Sequence, residues 1–232
     1  MTEREAFLDS LATAAKRPRH QLQDHPFKPL NDLPDTTLAD LSADDLFALA
    51  EKSSEAVHVD FQTTTKAALP QALDAFLAAK AAKTPMLPTS TAFADFGLTT
   101  WRDQLTPQPS FWVPNAGREA NIDTASHADA AIGFADYLLA ESGTITVATT
   151  PGQGRAFHFL PTHYLAVIKK SHILSRSRQA MYRYEKAFAD GSLKTSNINF
   201  ITGPSNSGDI EMVLIVGVHG PLDMTYLVVE DM

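Results

Sequence analysis

The sequence predicts an α/β protein: a three-layer α/β/α sandwich around a mostly parallel sheet, with a helical arm in front of it. Three observations lead there. From Ser42 onward, segments with helical spacing of apolar residues alternate with short β-branched or apolar segments, the pattern of strands joined by crossover helices. The runs Met212 to Val218 and Met224 to Val229 are largely apolar, as strands covered on both faces are, although the first could begin as a helix. A chain of 232 residues, 44% hydrophobic and 20% charged, is long enough for one large core.

Taken in order, Glu3 to Lys16 has Phe7, Leu8 and Leu11 on one side and predicts an amphipathic helix. Pro18, Pro26, Pro29 and Pro34 follow, which stop helices and favour an extended arm over 17–38. Residues 1–40 are therefore read as helix plus arm, and 41–232 as the α/β domain. Ser42 caps a helix reaching Ser54, with Asp45 at the capping-box position. Val57 to Phe61 alternates as a strand, and Lys66 to Lys83 carries Leu69, Leu73, Phe76 and Leu77 at helical spacing. Met86-Leu87-Pro88 and Phe111-Trp112-Val113 are short strands. Thr124 to Leu139 reads as a helix, with Ile132, Ala135 and Leu139 on one side. Thr144 to Thr149, Tyr164 to Ile168 and Ile198 to Ile201 are strands, with a helix over Leu174 to Ala189.

Composition excludes several classes of function. The net charge of −8 opposes general nucleic-acid binding, which needs phosphate-neutralising cations. Zero cysteines exclude disulfides, thiolate catalysis and an iron–sulfur cluster held by this chain. No apolar run approaches a membrane span, and the charged start Met1-Thr-Glu-Arg-Glu5 is unlike a signal peptide, so a cytoplasmic location is expected. Residues 1–150 carry 20 acidic and 11 basic side chains, whereas Lys169 to Arg183 holds five cations and no acid. Gly152-Gln153-Gly154 begins like a dinucleotide fingerprint, but Phe157 stands at its sixth position and Pro161 interrupts the helix it needs. His163, Asp209, Glu211 and His219 are ligand types that suit divalent metals, yet their spacing selects none, and no metal site is predicted.

Polar turns carry the candidate chemistry. Ala140-Glu141-Ser142-Gly143-Thr144 is read as joining a helix to a strand, which places the Glu141 carboxylate at a helix C-terminus and calls for a partner such as Arg155. Gly154 to His163 lies between strands, with Arg155 and His163 as candidate ligand contacts. Gly203-Pro204-Ser205-Asn206-Ser207-Gly208-Asp209-Ile210-Glu211 combines glycines, hydroxyls and carboxylates. A helix starting near Asn206 would let it cradle an anion. His219, between Gly217 and Gly220, is a candidate proton carrier. The expectation is that these turns converge on one rim of the sheet. Asp209, Glu211, Glu141 and His219 would then do the chemistry, while Thr144, Arg155, His163, Gly203, Ser205 and Ser207 hold a small anionic ligand.

The runs at 140–144, 154–161, 203–211 and 217–221 together resemble the lactate utilization protein C family, whose members carry a LUD domain. The resemblance implies a sandwich related to the sugar-phosphate isomerase and CoA-transferase superfamily. It also implies a role in oxidising L-lactate to pyruvate, beside two partners that carry iron–sulfur clusters. The cysteine-free chain would be the member without clusters and without a cofactor of its own. The family's Gly-Pro-Ser-Arg-Thr-Ala-Asp-Ile-Glu run departs here at Asn206, Ser207 and Gly208, which removes a cation suited to anions and leaves that task to Arg155. A stand-alone enzyme on a phosphorylated or CoA-type ligand, and a non-catalytic assembly or regulatory subunit, are the alternatives. Oligomeric state is left open.

Overall fold

In the computed structural model the described residues are 2–19, 28–210, 213–217 and 220–232, with only the backbone described for 207–210 and 213–216. The chain divides into two compact units, Met1–Pro34 and Asp35–Met232. In the first, helix α1 (Glu3–Ala14) is capped by the Thr2 hydroxyl, which accepts from the Glu5 N–H at 3.3 Å. Arg19 folds back to pair with Glu5 and Asp9. The apolar side read from the sequence is not buried: Phe7 is 66% and Leu11 51% exposed. A single helical turn, α2 (Leu33–Thr36), interrupts the segment expected to be extended.

In the second unit, α3 (Ala43–Ala56) begins with the expected reciprocal capping box between Ser42 and Asp45. Strand β1 (Val59–Thr64) follows after His58, whose φ is +65°. Then come α4 (Leu69–Ala79), β2 (Pro85–Pro88), α5 (Ala92–Asp95), α6 (Thr99–Gln104), β3 (Ser110–Trp112) and α7 (Arg118–Ser126). The middle of the chain holds β4 (Ala130–Phe134), β5 (Tyr137–Leu139), β6 (Thr144–Ala148), α8 (Ala156–Phe159) and β7 (His163–Lys169). The last elements are β8 (Ile173–Leu174), α9 (Ser177–Ala189), β9 (Ile198–Thr202), β10 (Asn206–Ile210), β11 (Val213–Val216) and β12 (Asp223–Val229).

Six strands form one parallel sheet in the order β1-β12-β7-β4-β2-β3. Alternation along its strands sorts the core into two halves. Tyr164, Ala166 and Ile168 of β7, with Met224, Tyr226 and Val228 of β12, face a cluster completed by α3, α7, α8 and the inner side of a second sheet. Leu165, Val167, Leu227 and Val229 face the opposite way, onto Leu69, Leu73 and Phe76 of α4 and Phe93 of α5. Helices thus cover both sides of a mostly parallel sheet. The second sheet, β8-β5-β6-β9, packs its outer side on Ala180 and Tyr184 of α9. The Tyr184 hydroxyl donates to the half-buried Asp136 carboxylate (2.9 Å), which also accepts from the Ala148 N–H, and lies 2.7 Å from the Thr146 hydroxyl, which can donate to it. Burial raises the Asp136 pKa above the usual carboxylate value.

One long predicted helix is wrong. The helix expected over Thr124 to Leu139 ends at Ser126, and the rest of that stretch is strands β4 and β5. Ala130, Ala131 and Ile132 have helical propensity, but they lie between β2 and β7 with both faces buried, and tertiary packing overrides propensity there. Gly133 makes the position a strand-specific fit, because a Cβ on it would stand 2.5 Å from the Tyr164 hydroxyl.

Candidate functional site

The chain moves outward from β2 to β3 but in the other direction from β4 to β7, so the order reverses between the paired strands β2 and β4. In open α/β sheets the carboxyl ends of strands at such a reversal are where ligands bind. Here those ends are covered by Gly152-Gln153-Gly154-Arg155. The Thr89 N–H donates to the Gly152 carbonyl at 2.9 Å. The buried Gln153 side chain accepts from the Phe134 N–H and donates to the Phe134 carbonyl, at 3.2 and 2.9 Å, as a neighbouring strand would. Gly154 lies against Trp112 at the end of β3, where a Cβ would meet the indole at 2.2 Å. The glycines that fail as a dinucleotide fingerprint therefore serve close approach of backbone to strand ends.

Beside this loop is a cleft of about 550 Å³ whose walls include Trp112, Ile122, Phe159 and Leu160, with Arg118, Arg155 and Asn197 as polar groups. Arg118 opens α7 after Gly117, whose φ is +87°. The start of α7 is tied to β3 by Asn121, which accepts from the Val113 N–H (2.9 Å) and donates to the carbonyls of Val113 and Gly117. Asn197 accepts from the Thr149 hydroxyl through Oδ1 at 2.7 Å. Among the described residues neither Arg118 nor Arg155 pairs with a carboxylate. Behind Arg155, His158 is wholly buried and its Nδ1 shares a 2.8 Å hydrogen bond with the Tyr164 hydroxyl. Burial lowers the His158 pKa to about 3 and raises that of Tyr164, so both are neutral near pH 7.

The remaining predicted residues are spread over several places. Glu141 is in the β5–β6 turn and not at a helix end, and its partner is Arg176 at 2.7 Å, not Arg155. Thr144 starts β6, where its hydroxyl bonds Ser142 and Thr202, each at 2.8 Å. Gly203 (φ +69°) packs on the end of α3, with a Cβ there 2.2 Å from the Val57 carbonyl. The first and third turns thus do meet, but at the Thr144 end of β6. Thr149 and Arg155 belong to its other end, roughly 16 Å away at about 3.3 Å per residue.

His163 begins β7 at the amino edge of the sheet, with Nδ1 2.9 Å from Asp223 Oδ2, an oxygen that also accepts from Lys80. Ser205 touches the last turn, since its carbonyl accepts from the Gly217 N–H at 2.6 Å and its Cβ lies 3.0 Å from the Cβ position of Gly220. No helix starts at Asn206. That segment is β10, with Ser207 and Asp209 in it, paired antiparallel to β11. The side chains of Ser207 and Asp209, and Glu211 and His219 altogether, lie outside the described residues. Sequence reasoning missed Trp112, Arg118 and Asn197. The signal for Arg118 was the preceding turn Pro114-Asn115-Ala116-Gly117, and only the fold brings it to Arg155.

Comparison with known proteins agrees with this architecture. A family model described as LUD domain matches residues 48–229. The lactate utilization protein C of Geobacillus kaustophilus (strain HTA426) is 43% identical over 198 residues, covering 84% of this chain and 82% of that protein. The protein of the same name from Shouchella clausii (strain KSM-K16) is 38% identical over 232 residues, with 98% of each chain covered. Among solved structures, a DUF162 family protein from Deinococcus radiodurans superimposes with a TM-score of 0.57 at 18% identity, over 82% of this chain and 99% of that one.

Proposed function

The chain belongs to the lactate utilization protein C family of LUD domain proteins, and on that premise we propose that it acts in lactate utilization as the cluster-free subunit of a system that oxidises L-lactate to pyruvate. Its working site in this reading is the cleft at the carboxyl edge. Arg155 and Arg118 hold a small anion there by charge-assisted hydrogen bonds, and Trp112, Phe159 and Leu160 exclude water around it. The observation that carries the reading is the Gly152–Arg155 loop, locked onto the strand ends where the sheet order reverses.

Oxidation of lactate releases two electrons and two protons. The electrons pass to partner proteins with iron–sulfur clusters, since this chain has no cysteine to hold one. The experiment is lactate-dependent electron transfer in the reconstituted system with and without this chain. Transfer that needs the chain supports the proposal, and transfer that proceeds equally without it removes the proposal.

A further inference from the structure

Resting on the reading of this cleft as an anion site, we infer that its ligand is a phosphate monoester carried on a flat aromatic body, of mononucleotide size, and not lactate itself. Three features of the cleft point there. Its volume of about 550 Å³ falls in the range of roughly 300–1,000 Å³ that accommodates ligands far larger than a three-carbon hydroxy acid. Lactate in it would leave most of the wall facing water. That wall is apolar and partly aromatic: Trp112 and Ile122 line it with Phe159 and Leu160, which are 36% and 40% exposed. Apolar side chains gathered in one concavity gain by meeting an apolar surface, and an indole does so best with a flat ring.

The charges supply the third feature. Two arginines line the cleft, and neither has a carboxylate partner among the described residues. A dianionic phosphate matches two such cations, whereas a single carboxylate leaves one uncompensated. With Oδ1 of Asn197 engaged by Thr149, the amide NH2 serves as a donor for the edge of a heterocycle or a ribose hydroxyl. The chain as a whole carries a net charge of −8, which opposes general binding of polyanions and favours a small, locally held anion.

The test is a titration of the full chain carrying Trp101→Phe, which leaves Trp112 as its one indole. Fluorescence quenching and calorimetry are followed with four probes: flavin mononucleotide, adenosine monophosphate, inorganic phosphate and L-lactate. The inference expects one or both aromatic phosphates to bind at least about tenfold tighter than phosphate or lactate. It also expects Arg155→Gln and Arg118→Gln each to weaken that binding by about tenfold or more with an unchanged melting temperature. Preference between the two aromatic probes identifies which ring system the cleft prefers. Lactate or phosphate binding as tightly as the aromatic phosphates, through the same arginines, overturns this inference and leaves the cleft an anion site. Aromatic binding that survives both arginine substitutions overturns it as well, and no binding by any probe removes the cleft from both readings.

Discussion

Replacing Gly152 by alanine probes how firmly the Arg155 loop is seated. The new Cβ would stand 1.8 Å from the Thr89 carbonyl oxygen and 2.8 Å from its carbon. Ordinary C···O contacts lie at about 3.3 Å or more, so loop and strand end must part by roughly 1.5 Å. The collision is with backbone, which no rotamer change relieves. Overpacking of this kind costs about 1–3 kcal/mol, and separation also breaks the bond from Thr89 to the Gly152 carbonyl, worth about 1 kcal/mol. A total near 3 kcal/mol corresponds to a melting temperature lower by about 6–12 °C in a chain of this size. The control is Gly191→Ala. Gly191 has φ +76° but nothing within 4 Å of its Cβ position, so only backbone strain of about 1 kcal/mol is expected. Thermal unfolding of both variants, followed by circular dichroism, separates the two. A Gly152→Ala protein that melts no lower than Gly191→Ala would refute the seating argument.

Three further outcomes follow from buried and paired groups. His158 is neutral in the folded chain with a pKa of about 3 against an ordinary 6.5, so the unfolded chain binds the extra proton and stability falls as pH drops below 6.5. The loss is about 2 kcal/mol at pH 5 relative to pH 7.5; urea unfolding of His158→Gln at both pH values should show that loss largely gone, and an unchanged difference would count against it. Asp136 has the opposite sign. Burial raises its folded pKa, so its stabilising influence is present below the unfolded carboxyl value and is lost as pH rises through the folded one. Asp136→Asn should therefore flatten that decline, and a steeper one would contradict the assignment. Glu141→Gln removes the ion pair with Arg176, in which both side chains are more than two-thirds covered. The expected cost is about 1 kcal/mol, smaller at high salt, and salt-independent unfolding would argue that the pair contributes nothing.

Much of the fold is legible because the signals are local. Ser42 and Asp45 announce a helix start by chemistry that involves only each other, and the largely apolar, β-branched and aromatic run Met224 to Val229 announces a strand buried on both faces. The stretch 124–139 misleads because alanines at Ala125, Ala128, Ala130 and Ala131 satisfy a helical period as well as a crowded sheet centre. What separates the two is the Tyr164 hydroxyl beside Gly133, a contact across 31 positions. The site is less legible for the same reason. Arg155 could be singled out from its own segment, but its neighbours Trp112, Arg118 and Asn197 come from three other places in the chain. The reading of Glu141 fails because the stretch before it is strand β5 and not a helix, so no helix end lies there, and its partner Arg176 comes from a segment 35 positions away.

The account stands on the carboxyl-edge cleft being the place where this chain does its work. The direct measurement is the rate of lactate-dependent electron transfer in the reconstituted system with Arg118 and Arg155 both changed to glutamine. Both side chains are exposed, so the fold should be retained and the melting temperature unchanged. Losing two charge-assisted contacts of about 1.5 kcal/mol or more each predicts a rate at least about 100-fold lower. A doubly substituted protein of normal stability that sustains the wild-type rate would contradict the account and move the site elsewhere.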